Sequence, residues 1–281
     1  MNAYAIVRLI RPWQWLKNLM LFFPPMLSGA MSHPGSVGRG VLPFIAFCLA
    51  SSASYIFNDL IDQQKDALHP VKKDRPIPSG KVSRGAAIGL SGLLLFSSLL
   101  MSWHVSMLFL LLVVIYLLLI VCYSLWLKNR PILDIFCIAI GFVLRLCAGG
   151  VAFQVMISDW LFLTVFLLAI FLSVGKRYSE RRALGKIAGE HRQTLKIYPD
   201  GFLEGAMYLS GSSVLVTYSI YSISTPMLVY TVPVCMYGLL RYLMRIQAGQ
   251  SGDPSESLIR DIPLLLTSVL WLLMVGWSVY R

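Results

Sequence analysis

Three carboxylates stand together at the end of an apolar segment, where the stretch 58–66 reads NDLIDQQKD. On a helix that turns about 100° per residue, Asp59, Asp62 and Asp66 fall within an arc of about 60°. Like charges this close require a compensating cation or protonation. Oxygen ligands suit Mg²⁺, which commonly shares substrate phosphates. The spacing predicts a catalytic Mg²⁺ site formed by these three residues and Asn58; the alternative is a solvated acidic helix end.

A basic stretch follows the carboxylates directly, and residues 69–81 read HPVKKDRPIPSGK. Its prolines stiffen the backbone, so its cations have restricted positions. Metal ligands beside cations form a recurrent arrangement for holding phosphates. Lys72 and Arg75 are therefore predicted to bind a substrate phosphate. The alternative is that these cations only set the orientation of the chain in a membrane.

Arg145 is a cation inside an apolar segment, in the stretch FVLRL. Placing arginine at the centre of a membrane helix costs about 2.5–3.5 kcal/mol on insertion scales. The side chain is therefore expected to face an aqueous cavity or a bound anion. An internal ion pair with Asp134 or Asp59 is the alternative.

The elements that must position these residues are long apolar segments. Of the 281 residues, 57% are hydrophobic and 13% are charged, whereas a soluble domain has about 25% charged residues. Segments of roughly 20 apolar residues can span a bilayer as helices, and they lack the alternating polarity of barrel strands. We predict an all-α, polytopic helical bundle forming a single membrane domain over 1–281. The nine predicted spans are 16–32, 41–61, 84–102, 105–125, 132–153, 160–176, 204–223, 226–246 and 262–280.

The basic residues predict the orientation. With nine spans, the N-terminus and four connections share one side of the membrane. Of the 24 Lys and Arg residues, only Arg39, Arg145 and Arg281 fall elsewhere. The positive-inside rule makes this side cytoplasmic, so we expect a multi-pass plasma (inner) membrane protein whose N-terminus and candidate site face the cytoplasm. No cleavable signal peptide is expected. The four connections are 62–83, 126–131, 177–203 and 247–260.

Four stretches together resemble the UbiA superfamily of intramembrane prenyltransferases and, within it, the decaprenyl-phosphate phosphoribosyltransferase branch. They occur in the expected order over almost the whole chain. The stretches are RPWQWLKN at 11–18, NDLIDQQKD at 58–66 with HPVKKDRP at 69–76, GKRYSE at 175–180, and GDP at 252–254 with Arg260 and Asp261.

The resemblance implies an enzyme with a UbiA-like fold. It would transfer a 5-phosphoribosyl group from phosphoribosyl pyrophosphate to a polyprenyl phosphate and release pyrophosphate, with Mg²⁺ as cofactor. The lipid phosphate is already anionic, so the transfer needs no general base. The aromatic prenyltransferases of the superfamily carry a second Asp-rich motif after the sixth span. Here 176–182 reads KRYSERR, which suits anionic substrates better than a second metal.

Further substrate-binding candidates follow from this expectation. Glu180 would orient a neighbouring base or contact the ribose hydroxyls, and Lys17 would hold the lipid phosphate. For Arg241 and Arg260 the alternative is snorkelling to lipid headgroups. The additional candidates are Lys17, Lys176, Arg177, Tyr178, Glu180, Arg241 and Arg260.

Two other functions remain open. An intramembrane transferase that moves a prenyl group from a prenyl diphosphate to an aromatic or other acceptor would show a second Asp pair in 177–203. That stretch offers only Glu180, Glu190 and Asp200. A transporter would show broken helices in related halves, but the Pro24–Pro25 break has no counterpart. No nucleic-acid-binding signature is present; membrane lipids are expected partners, and the sequence is compatible with a homo-oligomer.

Overall fold

The computed structural model describes residues 3–33, 35–68, 72–185, 193–225 and 227–281. Within these ranges every regular element is a helix, so the all-α prediction is confirmed. His69–Pro70 of the basic motif and Glu190 lie outside the described residues. The α-helices are α1 (Ala3–Ile10), α2 (Phe23–Leu27), α3 (Ser36–Ile61), α4 (Gln63–Ala67), α5 (Arg84–Val105), α6 (Met107–Leu125), α7 (Leu133–Phe153), α8 (Asp159–Leu184), α9 (Gln193–Ile197), α10 (Phe202–Ile223), α11 (Val232–Gln247), α12 (Pro254–Arg260) and α13 (Ile262–Tyr280).

Six of the described helices are long and apolar enough to cross a membrane: α3, α5, α6, α7, α8 and α13. They coincide with six of the predicted spans. The predicted spans 204–223 and 226–246 correspond to α10 and to the shorter α11. The predicted span 16–32 is instead a 3₁₀ helix, Pro12–Phe22, followed by the five-residue α2. The helical membrane bundle is therefore confirmed, whereas the count of nine spans is not.

Helices α3 and α7 form the centre of the bundle. In each of them 61% of the apolar window is buried, against 17% in α5 and 6% in α13. The buried face of α3 carries small side chains, including Ala50, Ser51 and Ala53, which let neighbouring helices approach closely. The acidic motif thus stands at the end of a central helix.

The last helix closes the bundle against the first segments. The Phe23 and Trp271 rings stack at 6.1 Å between centroids, and the Tyr280 hydroxyl donates to the carbonyl oxygen of Met26 at 3.0 Å. Helix α13 therefore packs on α2, at the opposite end of the sequence.

The basic connections contact one another. Lys128 pairs with Asp62, and the backbone N–H of Ile132 donates to the Tyr198 hydroxyl. Ser179 and Gly252 are also hydrogen-bonded. These contacts join the connections 62–83, 126–131, 177–203 and 247–260 at one end of the bundle, as expected if they share one side of a membrane.

Candidate active site

The acidic motif lies at a bend between two helices. Helix α3 ends at Ile61 and α4 begins at Gln63. The N–H of Asp62 still donates to the Asn58 carbonyl at 2.9 Å, and the N–H of Asp66 to the Asp62 carbonyl at 2.8 Å. Helical spacing is therefore kept through the bend, which leaves the Asp59 and Asp66 side chains buried on one side.

Two arginines neutralise this carboxylate pair. Arg75 Nη1 lies 3.0 Å from Asp59 Oδ1 and 2.5 Å from Asp66 Oδ2. Arg11 Nη2 contacts both oxygens of Asp59, at 2.6 and 2.7 Å, and Lys72 Nζ lies 3.9 Å from Asp66 Oδ1. Burial raises the pKa of Asp66 above its ordinary value, although Arg75 and Lys72 oppose the rise. One guanidinium thus already bridges two carboxylates.

Asp62 points elsewhere, because its carboxylate pairs with the ammonium of Lys128 at 2.5 Å. In the described part of the chain, no group of three His, Cys, Asp or Glu side chains is arranged to hold a metal. The predicted convergence of three carboxylates is therefore replaced by a convergence of two, with Asn58 half-buried nearby. Asp59 and Asp66 share the Arg75 guanidinium as a counterion. Their carboxylate oxygens are hard ligands, and this donor set fits a divalent ion such as Mg²⁺.

A second charged cluster involves Lys17, Lys176 and Asp253. Lys176 Nζ lies 2.9 Å from Asp253 Oδ2, and the charged neighbours of Lys17 include Lys176, Asp253, Arg145 and Arg11. Burial alone would raise the pKa of Asp253, but the ammonium groups of Lys176 and Lys17 hold it at about 2. Asp253 thus stays ionised and orients Lys176.

The loop that carries Asp253 is fastened to α8. A Cβ atom on Gly252 would lie 2.8 Å from the Gly175 carbonyl oxygen, so glycine is required for this approach. The N–H of Gly252 donates to Ser179 Oγ at 3.0 Å, and the Tyr242 hydroxyl donates to the Gly252 carbonyl at 2.7 Å. The GKRYSE and GDP stretches therefore meet, which fixes the position of Lys176.

Arg177 is enclosed by protein, with 1% of its side chain exposed. Its Nε donates to Asp134 Oδ2 at 2.8 Å and its Nη1 to Glu180 Oε2 at 2.7 Å. The Tyr198 hydroxyl donates to the other oxygen of Asp134 at 3.0 Å. Arg177 was predicted to bind substrate, but this burial and pairing give it a framework role. Glu180 pairs with this arginine, and its predicted contact with the ribose hydroxyls stays a prediction.

Tyr178 points to a different face from Lys176. It lines a surface cleft of about 300 Å³ together with Arg181, Asp200 and Glu204. Residues two apart on a helix lie on nearly opposite faces, so Tyr178 and Lys176 do not share a site.

Arg145 has no carboxylate partner within 4.0 Å among the described residues. Its guanidinium donates to Asn18 Oδ1 at 2.7 Å, to the Gly141 carbonyl at 2.7 Å and to the Tyr116 hydroxyl at 2.9 Å. The side chain is 5% exposed. The alternative of an ion pair with Asp134 or Asp59 is wrong, because Arg177 occupies Asp134, and Arg11 and Arg75 occupy Asp59. Protein groups enclose the guanidinium, so it does not face an open aqueous cavity, and contact with a bound anion stays a prediction.

Arg241 and Arg260 form ion pairs where α11, α12 and α13 meet. Arg241 pairs with Asp261 at 2.8 Å, and Arg245 contacts the same oxygen. Asp261 also caps α13 by accepting the N–H of Leu264 at 2.8 Å. Arg260 is 74% exposed and pairs with Glu256. Neither arginine reaches the carboxylate pair, so both predictions of substrate contact are unsupported by the geometry.

Arg11, Lys128 and Asp253 were missing from the predicted site. Arg11 and Asp253 lie within the resembling stretches and Lys128 lies in a basic connection, so each carried a signal. The ion pairs that these three residues form join distant parts of the chain, so their spacing in the sequence could not predict them. Together the two clusters and the neighbouring Lys128–Asp62 pair contain more cations than carboxylates, which suits anionic substrates. The cations are Arg11, Lys17, Lys72, Arg75, Lys128 and Lys176, and the carboxylates are Asp59, Asp62, Asp66 and Asp253.

Comparison with known proteins decides the family. The UbiA prenyltransferase family model matches residues 21–269. The chain belongs to the UbiA prenyltransferase family. With its apolar helices, this UbiA protein is a multi-pass membrane protein.

Relatives of this UbiA protein match almost its whole length. It is 30% identical to decaprenyl-phosphate phosphoribosyltransferase of Mycolicibacterium smegmatis, over 98% of this chain and 92% of that protein. It is 27% identical to the Corynebacterium glutamicum protein of the same name, over 99% and 87%. A UbiA homologue from Archaeoglobus fulgidus, solved bound to GPP and Mg²⁺, has the same fold with a TM-score of 0.77 and 21% identity, covering 98% and 99% of the two chains.

Proposed function

We propose that this UbiA protein is a polyprenyl-phosphate phosphoribosyltransferase. It would transfer a 5-phosphoribosyl group from phosphoribosyl pyrophosphate to a polyprenyl phosphate and release pyrophosphate. The observation that carries this proposal is the full-length similarity to decaprenyl-phosphate phosphoribosyltransferases. The excess of cations over carboxylates in the site supports two anionic substrates.

The carboxylate pair is assigned to the metal-dependent half of the site. Asp59 and Asp66 would hold Mg²⁺, with Asp62 available once Lys128 releases it. A divalent ion held by these carboxylates would supply positive charge against the pyrophosphate leaving group. Arg11 and Arg75 lie against these carboxylates. Arg75 would give up its place between Asp59 and Asp66 to the metal, and both arginines would then donate to the pyrophosphate oxygens as the bond to ribose C1 breaks.

The second cluster is assigned to the lipid phosphate. Lys17 and Lys176 carry the ammonium groups, and Asp253 orients Lys176 at 2.9 Å. Positive charge develops at ribose C1 as in other glycosyl transfers, and the anionic lipid phosphate attacks that carbon. No proton has to be removed, so the absence of a general base from these assignments is consistent with the reaction.

The site is assigned to the cytoplasmic face of the plasma membrane. The basic connections meet at the end of the bundle that holds the site, and excess Lys and Arg mark the cytoplasmic side. Phosphoribosyl pyrophosphate is soluble in water, so it would enter from this side, while the polyprenyl phosphate stays in the bilayer.

Transfer of a prenyl group to another acceptor is the second candidate, because the A. fulgidus homologue was solved with GPP. The described acids of the 177–203 connection do not form a second metal site. Glu180 pairs with Arg177, and the fully exposed Asp200 pairs with Arg181. This arrangement favours phosphoribosyl transfer.

One paired assay tests the proposal. Purified protein with Mg²⁺ receives labelled phosphoribosyl pyrophosphate and a polyprenyl phosphate, and in parallel a labelled prenyl diphosphate and aromatic acceptors. Label should enter lipid in the first reaction and should stop entering when EDTA removes the metal. Product in the second reaction alone would overturn the proposal.

A further inference from the structure

We infer that Arg145 is a positioning residue, which holds the 3₁₀ segment Pro12–Phe22 in place through Asn18. The segment carries Arg11 at its start and Lys17 within it, and both face the charged clusters of the site. This inference rests on the proposed phosphoribosyl transfer for its catalytic consequence, but its structural part stands independently.

The segment needs outside support. It runs for 11 residues as a 3₁₀ helix, whereas such helices rarely exceed three or four residues because their hydrogen bonds are poorly aligned. It also starts at Arg11 in a left-handed conformation, with φ 57° and ψ 60°, which is costly for a residue with a side chain. Contacts from the bundle must therefore stabilise it.

Asn18 supplies the polar part of that support. Its side chain is fully buried. Its Oδ1 accepts from Arg145 Nε at 2.7 Å and from Ser51 Oγ at 3.3 Å, and its Nδ2 donates to Cys48 Sγ at 3.3 Å. The amide of Asn18 thus connects the segment to both central helices, α3 and α7.

Arg145 is built into the bundle rather than open to a ligand. Its guanidinium lies 4.6 Å from the centre of the Tyr116 ring and 5.8 Å from the Phe47 and Phe142 rings. Aromatic faces and neutral acceptors stabilise a cation that no carboxylate of the described residues compensates. The planar fork lets Nε reach Asn18 while Nη1 and Nη2 hold α7 and α6, a geometry that lysine cannot reproduce.

Helix α7 supports the segment a second time, one turn further on. A Cβ atom on Gly149 would lie 2.1 Å from the Leu21 carbonyl oxygen, so the two backbones are in direct contact. With Gly149 against Leu21 and Arg145 against Asn18, the segment is held at two levels. Arg145 therefore determines where Arg11 and Lys17 stand.

A double-mutant cycle on transfer activity separates this role from direct substrate binding. Arg145→Gln and Asn18→Leu should each lower kcat/KM by up to about a hundredfold, since small misplacements of binding groups have effects of this size. The kcat/KM of the double variant should be no lower than that of the less active single variant, because both substitutions break the same hydrogen bond between Arg145 and Asn18. If the fold-losses in kcat/KM of the two single variants instead multiplied in the double variant, the inference would be overturned.

Asn18→Asp provides the conservative rescue. The substitution keeps an oxygen that accepts the hydrogen bond from Arg145. If this hydrogen bond is what supports activity, kcat/KM should lie within about threefold of the wild-type value. If Arg145 instead bound substrate, the added carboxylate would compete with that substrate, and Asn18→Asp would be more damaging than Asn18→Leu. That result would overturn the inference.

Thiol labelling tests the link without any substrate. The test uses protein that retains Cys48 as its single cysteine, a residue that is 2% exposed. N-ethylmaleimide should react with this thiol faster after Arg145→Gln. After Arg39→Gln, the same change at an exposed arginine, it should react at the wild-type rate. An unchanged rate after Arg145→Gln would overturn the inference. Accelerated labelling in a protein that transfers no phosphoribosyl group would uphold the link and reject only the proposed function.

Discussion

Arg75→Gln should destabilise the metal-free protein and increase its response to Mg²⁺. Arg75 Nη1 bridges Asp59 and Asp66, so it stands where a shared cation would stand. After the substitution Asp59 keeps Arg11, but among the described residues Asp66 keeps only Lys72 as a counterion, at 3.9 Å. A buried carboxylate would then lack a hydrogen-bonded counterion.

The expected loss is about 2 kcal/mol in the free energy of unfolding. Each hydrogen bond to a charged group contributes about 1.5–3 kcal/mol, and two such bonds are broken. A quarter of the Arg75 side chain is exposed, so solvent screening reduces the sum. In the wild type Mg²⁺ must displace Arg75 from both oxygens, whereas in the variant Asp66 Oδ2 has lost its arginine and Asp59 Oδ1 keeps only its contact with Arg11 among these two cations.

Thermal unfolding in detergent, with Mg²⁺ or with EDTA, measures both effects. The variant should unfold at a lower temperature than the wild type in EDTA and should gain more from Mg²⁺, because a ligand that binds only the folded state stabilises it. Arg84→Gln, the same change at an exposed arginine, is the matched control. An equal Mg²⁺ increment in wild type and Arg75→Gln would refute the idea that Arg75 and the metal share these oxygens.

Three further outcomes are expected. Asp59→Asn should lower turnover at least about a hundredfold with an unchanged gel-filtration profile, and near-normal turnover would exclude Asp59 from the site. Lys128→Gln frees the Asp62 carboxylate, so it should lower the Mg²⁺ concentration for half-maximal transfer about tenfold, equivalent to about 1.4 kcal/mol; an unchanged Mg²⁺ requirement would exclude Asp62 from the metal site. Asp253 has a folded pKa of about 2, below about 3.9 for an unfolded aspartate, so its stabilisation is present above pH 4 and is lost as pH falls through 2. Asp253→Asn should therefore lower Tm by a constant amount from pH 5 to 8, and the difference in Tm between wild type and variant should narrow below pH 4. A Tm difference that grew on acidification would contradict the pairing of Asp253 with Lys176.

The helices were predictable from sequence because apolar length is a local property. The segments 41–61, 105–125 and 132–153 each became one helix. The segment 16–32 did not, since its 3₁₀ conformation is imposed by contacts with α3 and α7. Apolar composition predicted a membrane span there, but the segment forms a 3₁₀ helix followed by a five-residue helix.

The site was predictable in part for a similar reason. The spacing of Asp59 and Asp66 placed both carboxylates on one side, as observed. The direction of Asp62 depended on Lys128, which is 66 residues away. Arg145 and Arg177 both looked like ligands for an anion, because a buried arginine has the same sequence signature whether its partner is a substrate or another side chain. Partner choice is a tertiary property.

The link between Asn18 and Arg145 has a consequence for how the chain is made. The two residues are 127 positions apart. At 5–20 residues per second, synthesis reaches Arg145 about 6 to 25 s after Asn18. During that interval the first segment has neither the arginine nor the Gly149 backbone to stabilise its shape. Its final conformation must therefore arise late, by docking of an already translated segment onto α7 as that helix enters the bilayer.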